Sequence, residues 1–147
     1  MTFAHDGVRD NLTHLAAPPY FYENLKRELI SFERSGHAFS LLRFALIPTA
    51  AIDPESEEGD ALIESAALNF SQTIIQTLRR EDLCARLGIT EFVLIVTGKD
   101  ELVSVIASRI VTSWNDGNFQ CLFSSVLARR GESSLELLNR LDNETLA

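Results

Sequence analysis

Helical and β periodicities alternate along the 147 residues and predict one α+β domain, a mainly antiparallel sheet flanked by helices. Three features carry that expectation. A run apolar on both faces, 39–47, suits the middle of a sheet. Two β-rich runs, 83–87 and 91–96, flank the short turn Gly88-Ile89-Thr90 and read as a hairpin. Helical stretches separate these strands from each other and from a last strand, 119–128. The order helix, strand, helix, hairpin, helix, strand, helix has a ferredoxin-like βαββαβ heart.

Residues 1–9 show no periodicity and read as a tail or linker end, leaving 10–147 as the domain. Asp10-Asn11-Leu12-Thr13 is a turn cluster, because Asp and Thr side chains bond nearby backbone amides. Pro18-Pro19 leads into a first helix in which Tyr22, Leu25, Leu29 and Phe32 recur at helical spacing, and Gly36 is placed to stop it. In the strand that follows, Phe39, Leu41, Arg43, Ala45 and Ile47 share one face, with Leu42, Phe44 and Leu46 on the other. A polar, acidic loop with two prolines, 48–59, precedes a second helix. Asp60 is its expected N-cap, and Ile63, Ala67, Phe70, Ile74 and Leu78 its buried stripe. Gly88 is expected to supply the positive φ that hairpin turns often require. A third helix, 99–114, turns Leu102, Val105, Ile106 and Ile110 inward. Ser133 and Glu136 form a capping-box pattern ahead of Leu137, Leu138 and Leu141.

A formal charge of −8 argues against a general nucleic-acid binder, which needs a basic face. Most of the basic charge is arginine, the better fork for phosphate, so a local anion site remains open. No apolar run reaches membrane-spanning length, and the first residues have no signal-like segment, so a cytoplasmic location is expected. Cys84 and Cys121 lack metal-ligand spacing and read as buried free thiols, with a disulfide or redox pair as the alternative. His5, His14 and His37 are scattered, and no metal or cofactor is expected.

Several short signatures follow one another in register: Asp10-Asn11-Leu12-Thr13, Ser40-Leu41-Leu42, Gly59-Asp60, Arg79-Arg80-Glu81-Asp82, Arg86-Leu87-Gly88-Ile89-Thr90-Glu91-Phe92 and Gly131-Glu132-Ser133. In this order and spacing the chain resembles the GGDEF domain, the nucleotide-cyclase-like fold that makes cyclic-di-GMP in bacterial signalling. The family joins two GTP molecules with Mg²⁺ held by carboxylates from the first strand and from the turn motif. Those positions align here with Ala45 and Thr90. The guanine-contacting Asn aligns with Asp53, and the Phe and Lys that precede it are replaced by Thr49 and Ala50. Asp60, Gly88, Ile89, Glu91 and Phe92 complete what the resemblance identifies as a degenerate active site. The family's Tyr-x-Ala-Lys continuation is not found before Ala147. Loss of catalysis is therefore expected.

The family's R-x-x-D motif, which holds cyclic-di-GMP at an inhibitory or product site, matches Arg79 and Asp82, and Ala107-Ser108-Arg109-Ile110 supplies the further arginine. The chemistry is sound on its own terms. Arginine offers bidentate donors to phosphate and to the O6/N7 edge of guanine, and a carboxylate accepts from N1 and N2. The competing reading is a helix C-terminus favouring positive charge, with a surface ion pair worth about 0–1 kcal/mol. Asp10 and Arg86 are implied to form a structural pair. The expected function is a catalytically inactive cyclic-di-GMP receptor, acting on a protein partner or attached domain, with homodimerisation possible. The alternatives are a ligand-independent interaction or dimerisation module, or a regulatory GTP-binding pseudoenzyme.

Overall fold

A computed structural model describes residues 3–49 and 51–147; Met1, Thr2 and Ala50, parts of the expected tail and loop, lie outside the described residues. The elements in chain order are α1 (Pro18–Ser35), β1 (Phe39–Pro48), α2 (Glu57–Thr77), β2 (Leu83–Gly88), β3 (Glu91–Thr97), α3 (Asp100–Ser113), β4 (Phe119–Leu127) and α4 (Ser134–Asn143). The sheet runs β2-β3-β1-β4, and each neighbouring pair is antiparallel. β1 is an inner strand, as its two apolar faces require. Leu42, Phe44 and Leu46 enter the core under α2 and α3, while Phe39 and Leu41 enter the core under α1 and α4. On the first side Phe70 gathers the rings of Phe44, Phe92 and Trp114, with centroids 5.4, 5.0 and 5.3 Å away. No helix among the described residues is long and apolar enough to cross a membrane. Cys84 and Cys121 are free, the first buried and the second half-buried, and burial pushes the Cys121 thiol up to about 12 and that of Cys84 further.

Several expectations are corrected. α1 buries Phe21, Leu25 and Leu29, and Tyr22 is exposed; a one-residue phase shift puts the all-carbon ring inside and leaves the phenol in water. α2 begins three residues before Asp60, at Glu57. Its N-cap is Ser56, whose hydroxyl accepts the Gly59 N–H at 2.9 Å. Asp60 sits instead in the first turn with Glu57 and Glu58, where acidic side chains favour the helix dipole. α3 buries Val103, Ile106, Ala107 and Ile110, and Val105 is exposed. Gly88 does not take a positive φ; a register shift between Arg86 and Gly88 bulges the strand and leaves Ile89-Thr90 as the turn.

The segment expected to fray is tied down from Phe3 onward. The Ala4 carbonyl accepts the Asn11 N–H at 2.9 Å and the Val8 carbonyl accepts that of Ala17 at 2.8 Å. Ala16 then bonds both ways with β2, donating to Cys84 and accepting from Arg86, which covers part of that edge strand.

Arg86 and Asp10 are the largest departure from an apolar interior. Their side chains are 1% and 0% exposed, and one Arg86 terminal nitrogen donates to both Asp10 carboxylate oxygens at 3.1 Å. The other two guanidinium nitrogens donate to the Ile89 carbonyl at 3.2 and 2.8 Å, and the Phe3 ring lies 5.0 Å from Cζ. Asp10 also accepts from the Thr13 N–H and hydroxyl, both at 2.8 Å. The N-terminal turn and the hairpin tip thus share one arginine, as the sequence implied.

At the other end of the chain, Ser133 and Glu136 close the expected capping box on α4. The guanidinium of Arg140 forks onto Glu132, with NH2 to Oε1 at 2.8 Å, and reaches the Leu127 carbonyl at 2.7 Å. The Arg140 hydrogen bond holds the Glu132 carboxyl below its usual value of 4.5, aided by the Arg129 N–H against a smaller burial effect.

Asp10→Ala or Arg86→Ala is expected to lower the unfolding free energy by about 3–5 kcal/mol, read from urea denaturation, because each leaves an unpaired buried charge. The double variant should lose less than the sum of the two; additive losses would show that the pair does not act as a unit. A carboxylate with a lowered folded pKa stabilises above its unfolded pKa, and that contribution fades as pH falls through the folded value. Glu132→Gln is therefore expected to melt earlier than the parent at about pH 7, and the gap between them to narrow as the pH is taken down through the lowered Glu132 pKa.

Candidate functional site

α2 ends at Thr77, and Leu78 to Asp82 form the turn that delivers the chain to β2. The turn closes on itself: the Asp82 N–H donates to the Arg79 carbonyl at 3.1 Å, and the Arg79 N–H donates to Asp82 Oδ2 at 3.1 Å. The side chains then meet in a planar fork, Arg79 Nε to Oδ2 at 3.0 Å and NH2 to Oδ1 at 2.7 Å. NH2 also donates to the Thr97 carbonyl at the end of β3, at 2.6 Å, and NH1 stands 3.2 Å from Glu81. The Asp82 side chain is 0% exposed, whereas that of Arg79 is 33% exposed. The Asp82 hydrogen bond holds the Arg79 guanidinium above its usual pKa, with the charges of Asp82 and Glu81 adding to it. This carboxylate faces the protein and the guanidinium keeps a solvent face.

Arg80 and Arg109 are exposed. Arg109 lies on the outward side of α3, between the buried Ala107 and Ile110. α3 packs against α2 and starts three residues beyond Thr97, the carbonyl that Arg79 grips. From Asp100 to Arg109 is nine residues, about 14 Å along the axis at 1.5 Å per residue. The structure thus joins Arg79 to Asp82 directly and sets Arg109 on the adjoining helix without a bond to either. The contacts of Glu81 and the Thr97 carbonyl were missed by sequence reasoning. Glu81 lies inside the motif itself; Thr97 needs the β2–β3 register.

The second group of candidates lies at the hairpin. Ala45 on β1 stands directly opposite Glu91 on β3, and the Leu46 N–H donates to the Thr90 carbonyl at 3.0 Å. Ala45, Gly88, Thr90 and Glu91 are half-buried, Ile89 is exposed, and Phe92 is buried in the aromatic cluster. A methyl, a neutral hydroxyl and one carboxylate do not fit Mg²⁺, which takes hard, mostly anionic oxygen ligands. Among the described residues no three His, Cys, Asp or Glu side chains gather where an ion could be shared.

Asp53 lines a cleft of about 280 Å³ at the start of α2 with Ile52, Ser56, Gly59 and Leu62, and Asp60, next to Gly59 in the first turn, is half-buried and is not part of that lining. The Asp53 carboxylate accepts the Glu55 N–H at 2.9 Å, and its carbonyl accepts the Ser56 hydroxyl at 2.8 Å. That carbonyl oxygen lies 1.9 Å from where a Cβ on Gly59 would be. The glycine of Gly59-Asp60 is thus required by the close approach of this loop.

A four-stranded antiparallel sheet with helices on both faces and an exposed hairpin tip defines a nucleotide-cyclase-like fold. The family model described as diguanylate cyclase, GGDEF domain, matches residues 8–121, and the chain belongs to that family. The fold is similar to the coiled coil and GGDEF domain of DgcB from Caulobacter crescentus, solved in complex with c-di-GMP: TM-score 0.79, 19% identity, 93% of this chain and 78% of that one. It is also similar to the Pseudomonas aeruginosa diguanylate cyclase SiaD in complex with its activator SiaC, with TM-score 0.77 and 22% identity over 91% of this chain, which spans 55% of that one. The GGDEF domain of FimX from the same organism matches with TM-score 0.74 and 14% identity over 91% of this chain and 88% of the other. No curated protein matches the chain in sequence.

Gly59→Ala is expected to destabilise the domain by about 1–3 kcal/mol, measured by thermal or urea unfolding, because the 51–56 loop must move off the new methyl. Helix propensity alone would favour alanine by about 1 kcal/mol, so a more stable variant would show that the loop yields freely.

Proposed function

We propose that this GGDEF domain no longer makes cyclic-di-GMP and serves as its receptor through Arg79 and Arg109, with Asp82 as the anchor that holds Arg79 in place. The observation that carries the reading is the Arg79 guanidinium itself, fixed in plane by a fully buried carboxylate and still one-third exposed. A pre-aligned guanidinium presents its plane for stacking and its edge for a phosphate or guanine without further ordering. Arg80, the next residue in the chain, and Arg109, on the adjoining helix α3, are further exposed positive charges. The DgcB structure, a relative in fold, contains c-di-GMP, which is consistent with this ligand class. Asp82, expected to accept from guanine directly, acts in this reading through Arg79. Loss of catalysis is supported by Ala45 and Thr90 in the positions where the family places its metal carboxylates.

A second reading, a ligand-independent interaction module, is favoured by the same fork. Arg79 already bonds Asp82, Glu81 and the Thr97 carbonyl, as a purely structural staple would.

Calorimetry with cyclic-di-GMP separates the two. Saturable binding is expected on the order of tens of micromolar or tighter. Arg109→Ala and Arg79→Lys, which keeps the charge but loses the fork, should each weaken it about tenfold or more, the loss of one charge-assisted hydrogen bond. No saturable heat, or affinities unchanged in both variants, contradicts the receptor reading. Incubation with GTP and Mg²⁺ is expected to yield no cyclic-di-GMP, and its formation would overturn the loss of catalysis.

A further inference from the structure

We propose that the cleft at the edge of β2, between the start of α1 and the end of α2, binds a small aromatic anion of mononucleotide size. The flat ring of the ligand lies beside Tyr20, and its phosphate or carboxylate on Arg9 and His14. The cleft has a volume of about 320 Å³, and at its floor the buried Ala16 and Cys84 are joined by a backbone hydrogen bond. That volume is at the small end of the range of about 300–1,000 Å³ that ligand clefts span, which limits the size of the ligand. Tyr20 belongs to α1 and Ile75 to α2, helices on opposite faces of the sheet, so the edge strand is flanked by an apolar wall on each side. Val8, Tyr20 and Ile75 are all exposed, and the Tyr20 ring has no aromatic or cationic partner among the described residues. A free phenol ring beside aliphatic side chains offers a face on which a flat ring stacks.

The charged residues of the lining define the other end of the ligand. Arg9 and His14 are exposed, and their side chains make no hydrogen bond or ion pair among the described residues. Asp82 is the one carboxylate in the lining, and Arg79 forks onto both its oxygens, so its charge is already matched. Asp6, three residues before Arg9, bonds the Val8 and Arg9 N–H groups and not the Arg9 guanidinium. Arg9 is thus left as an unmatched cation, with the planar fork that a phosphate or carboxylate takes in two parallel hydrogen bonds. His14 adds a ring N–H in either tautomer. It is also the one residue other than glycine with a positive φ, 60°, among the described residues. That backbone favours glycine, yet an imidazole stands there with no side-chain bond into the fold to account for it. Its use is outward, in the cleft it lines. Arg79 and Arg109 do not line this cleft, and Arg79 reaches from Asp82 to the Thr97 carbonyl, so the site is separate from the one proposed for cyclic-di-GMP.

Nitrogen–proton NMR of the whole chain, without cyclic-di-GMP, tests it in titrations with adenosine monophosphate, adenosine and phenylacetate. Adenosine monophosphate is expected to give saturable shifts at the backbone amides of Val8 to Ala16 and of Cys84, with a Kd on the order of millimolar or tighter. Adenosine, which keeps the ring and loses the charge, should bind at least about tenfold more weakly. Phenylacetate sorts the source of the anion: binding as tight as that of the nucleotide assigns the site to aromatic carboxylates, and weaker binding assigns it to nucleotides. Arg9→Gln should erase the difference between adenosine monophosphate and adenosine, an outcome that general loss of folding cannot mimic. His14→Gly should melt no lower than the parent and bind adenosine monophosphate about threefold or more weakly. No saturable shift with either anion, equal affinity of the parent for adenosine monophosphate and adenosine, or an affinity untouched by Arg9→Gln would each overturn the proposal. So would a His14→Gly variant that melts lower, since the imidazole would then serve the fold.

Discussion

Two opposite charges, Asp10 and Arg86, are removed from water almost completely, and the rest of the domain is arranged to make that tolerable. Each would be costly alone, so the turn carrying one and the hairpin carrying the other have to meet. Every guanidinium nitrogen has a partner, and the Ile89 carbonyl takes two of the donated bonds. The hairpin tip is therefore held from behind, through its backbone and through Arg86. It does not depend on the side chains that Thr90 and Glu91 present at the front. This separates shape from chemistry, and a tip held in that way can carry a hydroxyl at Thr90 in place of a carboxylate without losing its geometry.

Arg79 and Asp82 repeat the pattern at the opposite end of β2 with one difference. Here the carboxylate is buried and the arginine is partly in water. The buried partner supplies rigidity, and the exposed partner keeps a solvent face. A ligand that engages the outer edge of Arg79 has to compete with Glu81, an exposed contact, while the Asp82 fork stays in place. The same two residues thus serve the turn between α2 and β2 and remain open to a second role.

What the sequence made legible follows from how local each cause is. The two apolar faces of β1, the stop at Gly36 and the Ser133–Glu136 capping box are written in short patterns, and all three appear as read. Tyr22 and Phe21 are neighbours of similar size, and only packing against β2 and α4 decides which turns inward. Asp60 was read as the cap after a loop ending at Gly59, but that glycine lies inside the helix, required by the close approach of the Asp53 carbonyl, and the cap is Ser56. Residues 3–9 carry no periodicity, since bridges to the 10–17 segment and the Phe3 ring on Arg86 hold them rather than an element of their own. At the candidate site the Arg79–Asp82 contact was readable from a spacing of three, whereas the burial of Asp82 and the Thr97 carbonyl depend on strand register.

The proposed receptor function puts recognition at the guanidinium at the end of α2 and not at the hairpin tip. Nitrogen–proton NMR of the whole chain during a cyclic-di-GMP titration tests it most directly, through the Nε–H signals of Arg79 and Arg109 and the backbone amides of Gly88 to Glu91. Saturable shifts at the two arginines with a quiet hairpin are the predicted result. Shifts confined to the hairpin, or arginine signals that never move, would contradict it.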